Sequence, residues 1–181
     1  MITLQETVGN NIRRRRQALG LSQQALAERA NISRRMITLI ENGTGNASLG
    51  TLDRLADALQ ITFTGLIEAS KSGDKISADP IDLWQGSDPR SRARLLQSCP
   101  TRDHVELWCW SLAPGERYDA EPDSAGMHEM ILVTNGQLDL EVARSIHRLT
   151  AGQSITFASD QSYAYVNAGT SMLRFIKNVV R

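Results

Sequence analysis

The stretch Leu21–Asn42, LSQQALAERANISRRMITLIEN, predicts two short helices that meet at a sharp corner. Ser22 is a good N-cap for the first helix and Ser33 for the second, because a serine hydroxyl can accept a hydrogen bond from a free amide of the first turn. Asn31 lies at the corner, where the chain needs a left-handed backbone that asparagine tolerates better than most residues. Two short helices joined in this way are typical of a helix-turn-helix motif.

The second helix, which runs to about Glu41, separates an apolar side from a basic side. Its apolar side carries Met36, Ile37 and Ile40, which we expect to face the core. The opposite arc, with the cap and the residue after the helix, carries no acidic side chain and consists of Ser33, Arg34, Arg35, Thr38 and Asn42. Such an arc fits the major groove of DNA, with Arg34, Arg35 and Thr38 at base edges, and we expect Gln23 to hold a phosphate. The alternative is a plain αα-hairpin with a solvated charged face.

The surrounding sequence resembles the phage-repressor or XRE-type DNA-binding domain over roughly residues 8–68. Leu-Ser-Gln from Leu21, Ile-Ser from Ile32, Ile-Glu-Asn-Gly from Ile40 and Ser-Leu-Gly-Thr-Leu from Ser48 all stand in the register of that family. The sequence departs from the pattern at Asn31 and Ala47, where glycine and proline are usual, and neither change removes a DNA contact. The resemblance implies a five-helix domain that binds double-stranded operator DNA.

Length and composition leave room for one or two small domains. The chain has 181 residues and a formal net charge of zero, so it is not a polyelectrolyte as a whole, although residues 1–68 carry a small excess of basic side chains. Its two cysteines suggest no disulfide framework, and no signal peptide or membrane span is visible. We therefore expect a soluble, cytoplasmic protein. Of the four consecutive arginines Arg13–Arg16, one or two can touch phosphate, and we expect the others to be solvated or to lie over the core edge. A run of this kind is more often a solubilising face than a contact surface.

The composition changes at residues 69–80, ASKSGDKISADP, which have the low hydrophobicity of a linker. We expect a DNA-binding domain at residues 1–69, a linker at 70–80 and a second domain at 81–181. In the second domain apolar and polar residues alternate, as they do from Val105 to Trp110, and turn residues separate the runs. Asn135-Gly136 predicts a hairpin, and the following runs predict a continuing meander. Short strands of this kind indicate an all-β sandwich or barrel.

This half of the chain is similar to the cupin domain over about residues 103–178. The segments PDSAGMHEMILVTNGQLDLEV and AGQSITFASDQSYAYVNAG resemble the two cupin motifs. The resemblance implies an α + β two-domain chain, with a five-helix repressor-like domain followed by an all-β cupin (double-stranded β-helix) barrel. It also implies a ligand-responsive transcription regulator whose barrel forms a homodimer and holds an effector.

The histidines that cupin enzymes use to hold a metal are missing from the two motifs. Asp123 and Tyr163 stand where histidine is usual, and only Glu129 matches the carboxylate. His128 is adjacent to Glu129 and faces the other side of its strand. His104 and His147 lie outside both motifs, where a surface position is the more common one. We expect no metal, no other cofactor and no catalytic residue.

We expect a ligand pocket in the barrel formed by Asp123, Glu129, Tyr163, Tyr165 and Asn167. Buried carboxylates must be paired or protonated, so an amine-bearing or other polar metabolite is the expected effector. The alternative is that these groups bond to loop backbone and the pocket is filled. We expect Trp108 and Trp110, which share one face, to lie in the core or a dimer seam and not in a ligand cage.

These expectations favour a sequence-specific DNA-binding regulator whose cupin domain binds an effector, dimerises, or does both. Two alternatives remain open at this point: a metal-dependent cupin enzyme tethered to a DNA-binding domain, and a barrel that only dimerises.

Overall fold

The computed structural model describes residues 3–67, 79–100 and 104–180, and the chain forms two compact units, Met1–Lys75 and Ile76–Arg181. The first unit is helical and the second is built from strands. Most of the linker predicted at 70–80 lies outside the described residues, so the predicted domain bounds stay a prediction. None of the described helices is long and apolar enough to cross a membrane.

The described part of the helical unit contains five helices, as predicted. They are α1 (Leu4–Ala18), α2 (Gln23–Arg29), α3 (Arg34–Glu41), α4 (Leu49–Leu59) and α5 (Phe63–Ile67). The hydroxyls of Ser22 and Ser33 accept hydrogen bonds from the amides of Ala25 and Met36 and so cap α2 and α3. Asn31 adopts φ 50° between these helices, which confirms the predicted left-handed corner. Helices α2 and α3 therefore form the helix-turn-helix.

The core of this unit is small but continuous. Its fully buried aliphatic side chains come from all five helices and are Ile12, Leu26, Ile37, Leu55, Leu59 and Leu66. Gly9 lets α1 approach α3 closely, because a side chain there would collide with the carbonyl oxygen of Ile40. The buried amide of Asn11 donates to the carbonyl oxygen of Leu66 at 2.9 Å and joins α1 to α5. The position of α3 is thus determined by backbone contact with α1.

The second unit contains ten described strands, all of whose pairings are antiparallel. They are β1 (Ile81–Gln85), β2 (Arg92–Pro100), β3 (His104–Leu112), β4 (Arg117–Ala120), β5 (His128–Asn135), β6 (Gln137–Val142), β7 (Ser145–Thr150), β8 (Ser154–Ala158), β9 (Tyr163–Val166) and β10 (Leu173–Val180). One sheet has the order β1-β2-β3-β10-β5-β8 and the other β4-β9-β6-β7. This agrees with the predicted cupin-type barrel, although β1 and β2 lie outside the segment of cupin resemblance.

The predicted hairpin at Asn135-Gly136 is wrong. Strand β5 pairs with β8 and β10, whereas β6 pairs with β7 and β9, so the chain changes sheets at this point. Gly136 adopts φ 79°, and a Cβ there would lie 2.8 Å from the carbonyl oxygen of Met172. The Asn-Gly pair therefore allows a tight corner, and corners of this kind replace the predicted meander with strands that alternate between two sheets.

The barrel interior is rich in aromatic side chains. Trp108 and Trp110 are buried, which confirms that they belong to the core. The Trp110 ring stacks on Phe175 with a centroid distance of 5.8 Å and meets the Tyr165 ring edge-on at 5.1 Å. Because inward residues alternate along a strand, Glu106 shares the face of the two tryptophans and accepts a hydrogen bond from the Trp108 indole at 2.8 Å.

Candidate DNA-binding face and barrel interior

The exposed side of α3 begins with two arginines. Ser33 caps the helix, and Arg34 and Arg35 follow it with exposed side chains. The hydroxyl of Thr38, one turn further on, lies 3.1 Å from the carbonyl oxygen of Arg34 and 3.3 Å from Oε1 of Gln23. The structure thus brings four of the six predicted DNA-binding residues, Ser33, Arg34, Arg35 and Thr38, together at the N-cap and in the first part of α3.

The other two predicted residues, Gln23 and Asn42, take part in internal contacts. The Gln23 amide donates to Oε2 of Glu41 at 3.0 Å, and Oδ1 of Asn42 accepts a hydrogen bond from Arg13 at 2.8 Å. Asn42 is exposed and Gln23 is half-buried. Both side chains therefore already stabilise the helix-turn-helix, and the contact of Gln23 with phosphate and of Asn42 with DNA stays a prediction.

Glu41, at the end of α3, is the centre of a buried polar network that sequence reasoning missed. Its side chain is fully buried. Arg16 donates to both carboxylate oxygens, at 2.6 and 3.0 Å, and Nε of Arg13 lies 3.6 Å from Oε2. Burial raises the pKa of Glu41, but the hydrogen bonds from Arg16 and Gln23 outweigh it, so the pKa is lowered overall. The ionised carboxylate holds α1, α2 and α3 together.

Among the arginines at positions 13–16, Arg13, Arg15 and Arg16 make internal contacts, so a mainly solubilising face is wrong, while the expected position of some of them over the core edge is confirmed. Arg16 and Arg13 bind Glu41 or its carbonyl oxygen, and Arg15 donates to the carbonyl oxygens of Leu59 and Gln60 at the end of α4. Consecutive residues of a helix point in different directions, so these long arginine side chains form hydrogen bonds with different neighbouring helices. The signal was available: Arg16 lies one turn after the buried Ile12 and therefore at the core edge.

In the barrel, the structure brings Glu129, Tyr163 and Tyr165 together as predicted. Glu129 is fully buried, and its two carboxylate oxygens accept hydrogen bonds from the hydroxyls of Tyr163, at 2.9 Å, and Tyr165. Burial, followed by the charge of Glu129, raises the pKa of both tyrosines well above the ordinary value. Both hydroxyls are therefore protonated at neutral pH and act as donors.

Lys177, on β10, is the member of this cluster that sequence reasoning missed. Its side chain is 7% exposed, and its ammonium forms an ion pair with Oε1 of Glu129. The same nitrogen lies 3.2 Å from the Tyr165 hydroxyl. The signal was the alternation in β10, because Lys177 follows Leu173 and Phe175 on the inward face.

Asn167 and Asp123 stand apart from this cluster in different ways. The buried amide of Asn167 donates to the carbonyl oxygens of Leu112 and Ser171 at 2.8 and 2.9 Å, and its oxygen accepts from the amide of Gly169 at 3.1 Å. This is the loop-bonding role that the sequence left as the alternative. Asp123 is half-buried, and its charge adds to the raised pKa of Tyr163, after burial and Glu129.

The donor groups around Glu129 do not fit a transition metal. Both carboxylate oxygens are engaged by hydroxyls and an ammonium, and His128 is exposed on the other face of β5. His147 is also exposed, and the side chain of His104 lies outside the described ones. Among the residues that the structure describes, no three histidine, cysteine or acidic side chains come together at one point.

Known family models match both units. The helix-turn-helix model matches residues 12–66, and the cupin domain model matches residues 108–178. The chain joins an XRE-type helix-turn-helix domain to a cupin domain. Both parts of the resemblance are thereby confirmed, in the predicted order.

Two known proteins resemble the chain over most of its length. The HTH-type transcriptional regulator SutR of Escherichia coli K12 is 28% identical over 178 residues, which cover 97% of this chain and 95% of the relative. The crystal structure of an HTH_3 family transcriptional regulator from Vibrio cholerae matches with a TM-score of 0.77 at 21% identity, and the match covers 99% of this chain and 98% of that one. The likeness to the Vibrio structure supports the fold of the helix-turn-helix and cupin domains.

Proposed function

We propose that the chain is a DNA-binding transcriptional regulator that reads a specific operator with α3. The observation that carries this proposal is the exposed start of α3, where Arg34 and Arg35 follow the Ser33 cap and no acidic residue is present in the first turn. Arginine pairs bidentately with guanine in the major groove, and each good pair adds about 1–3 kcal/mol of discrimination. The similarity to SutR supports the same function.

The test uses an operator selected by the full chain from a random pool of double-stranded oligonucleotides. Arg34→Ala and Arg35→Ala should each weaken operator binding by about tenfold or more, and should weaken binding to unrelated DNA much less. Arg29→Ala, which removes an exposed arginine from the far end of α2, is the matched control. Unchanged operator affinity in both α3 variants would refute the readout by these arginines.

We further propose that Thr38 reaches base edges beside the two arginines, and that Ser33, Asn42 and Gln23 position the domain on the DNA backbone. Gln23 supports this role indirectly, because its amide oxygen lies 3.3 Å from the Thr38 hydroxyl and its nitrogen holds Glu41. Contacts to phosphate carry no sequence information. Gln23→Ala should therefore lower affinity for operator and unrelated DNA by similar factors, and a loss confined to one operator position would contradict the assignment.

We propose that two copies of the barrel associate through the outer face of the six-stranded sheet. Met130 and Leu132, on β5, are 41% and 45% exposed, and the neighbouring Ile176 of β10 is half-buried. An apolar patch on a sheet face supports a two-fold interface, which would present two helix-turn-helix domains to two half-sites. Leu132→Glu should give a monomeric mass in light scattering. Ile146→Glu, at a 63% exposed apolar residue on β7, should leave the dimer intact.

We propose that the barrel binds a small polar effector near Glu129, Asp123 and the two tyrosine hydroxyls, and that it is not an enzyme. The ion pair with Lys177 makes a neutral polar metabolite a better candidate than an amine, because an amine would have to displace an ammonium that is already held. A thermal-shift screen of the full chain should identify the effector. Glu129→Gln and Asp123→Asn should abolish its influence on DNA affinity, and a full response in both variants would place the effector elsewhere.

A further inference from the structure

We infer that the ammonium of Lys177 is the resident cation of the barrel and occupies a cation site formed by Glu129, Tyr165 and the surrounding aromatic rings. All groups of this site, including the cation, come from the same chain. Four features support this assignment: the register of three strands, the partners of Glu129, the aromatic rings around the ammonium and the outward direction of His128.

The strand register determines the position of Lys177. Strand β10 lies between β3 and β5, and Lys177 is opposite Trp108 on one side and Ile131 on the other. Glu129 is two residues from Ile131 and shares its inward face, so Lys177 and Glu129 form a diagonal cross-strand pair. A diagonal pair is within reach of a long side chain, and the observed ion pair follows from this placement.

The ammonium has both oxygen and aromatic partners. It meets the carboxylate of Glu129 and the hydroxyl of Tyr165. It also lies over three aromatic rings, 5.6 Å from the centroid of Trp108, 5.4 Å from that of Trp110 and 5.5 Å from that of Tyr165. Carboxylate, hydroxyl oxygen and π faces are all groups that bind cations, and burial strengthens their attraction. These groups form a cation site, and the chain itself supplies its occupant.

Two consequences can be measured on the full chain. First, the wild-type protein should not take up a transition metal at Glu129, because the carboxylate is engaged and no imidazole among the described side chains converges on it. Second, Lys177→Ala should create a vacancy shaped for the removed atoms, which correspond to n-propylammonium. That ion should raise the melting temperature of the variant in a saturable way, because a ligand that binds only the folded state stabilises it.

The experiment follows unfolding by tryptophan fluorescence, since all three tryptophans, Trp84, Trp108 and Trp110, belong to the barrel unit. The melting temperature of Lys177→Ala should rise with n-propylammonium but not with 1-propanol, its neutral analogue. Wild-type protein and the double variant Lys177→Ala/Glu129→Gln should show no such rise. An equal rise in the double variant, or none in Lys177→Ala, would overturn the inference.

Metal uptake by the wild-type protein gives an independent reading that does not require Lys177→Ala to fold. Wild-type protein incubated with Zn²⁺, Fe²⁺ or Mn²⁺ and then desalted should retain clearly less than one ion per chain. Stoichiometric metal that is lost in Glu129→Gln would overturn the inference.

If Lys177→Ala does not fold, Lys177→Met/Glu129→Gln replaces both charges with neutral groups of similar size and should melt at a higher temperature than Lys177→Met alone. A double variant no more stable than Lys177→Met would also count against it.

Discussion

Replacing Arg16 with methionine should strongly destabilise the helical unit. The substitution keeps most of the aliphatic volume but removes the guanidinium that donates to both oxygens of Glu41, at 2.6 and 3.0 Å. The Glu41 side chain is fully buried, so it would be left with Gln23 at 3.0 Å and the more distant Arg13 at 3.6 Å. Removing one partner of a buried ion pair costs about 3–5 kcal/mol, and the remaining partners place this case near the lower end, at about 3 kcal/mol.

Urea denaturation followed by far-ultraviolet circular dichroism measures this loss in the helical unit. Tryptophan fluorescence reports on the barrel unit, which contains all three tryptophans, and the two signals together assign the loss to a unit. In thermal unfolding, a loss of about 3 kcal/mol corresponds to a decrease of about 12–24 °C for a domain of this size.

Arg14→Met is the matched control for this prediction, because Arg14 lies on the same helix and is exposed, with a 3.3 Å hydrogen bond to Asn11. It should cost less than about 1 kcal/mol, as exposed contacts generally do. A loss of under about 1 kcal/mol for Arg16→Met would show that water screens the carboxylate, and the argument from its burial would be refuted.

Three further predictions concern Glu41, two glycines and Asn167. The pKa of Glu41 is lower in the folded than in the unfolded protein, so its ionised carboxylate stabilises the fold above the unfolded-state pKa, near 4.5. This stabilisation is lost as the pH falls through the folded-state pKa. The difference in the free energy of unfolding by urea between wild type and Glu41→Gln should therefore become smaller below pH 4.5. Gly136→Ala should destabilise the barrel by at least about 1 kcal/mol more than Gly152→Ala in fluorescence-monitored unfolding, because both glycines have positive φ but only Gly136 has neighbouring atoms in the way. Asn167→Ala should cost the barrel about 3 kcal/mol, because its three backbone partners lose hydrogen bonds, and a loss near zero would favour a role in effector binding instead.

The helix-turn-helix was predictable because its signals are local. Ser22 and Ser33 cap helices through amides three residues away, and Asn31 determines the corner through its own backbone angle. The network around Glu41 was missed because its partners are 18 and 25 residues distant in sequence. Periodicity places a side chain on one face of a helix but does not identify its partner.

The barrel was predictable as a class and not as a topology. Alternation gave most strands, but the Asn135-Gly136 turn predicts a hairpin and an inter-sheet corner equally well, since both need a positive φ at glycine. The Glu129 cluster was found only in part, because the resemblance supplied Glu129 and Tyr163 by their motif positions. Lys177 belongs to neither motif, and only its alternation with Phe175 places it inside.

The strand order of the larger sheet has a consequence for how the protein folds during synthesis. Strand β10 is the last described strand in the chain, yet it occupies the middle of its sheet, between β3 and β5. The helical unit depends on local contacts and can fold as soon as it is made, whereas the sheet must wait for β10. Until β10 arrives, β3 and β5 have unpaired edges, which can pair with other chains. Glu129 cannot be buried next to its cation before then, so the step that closes the sheet also neutralises its interior.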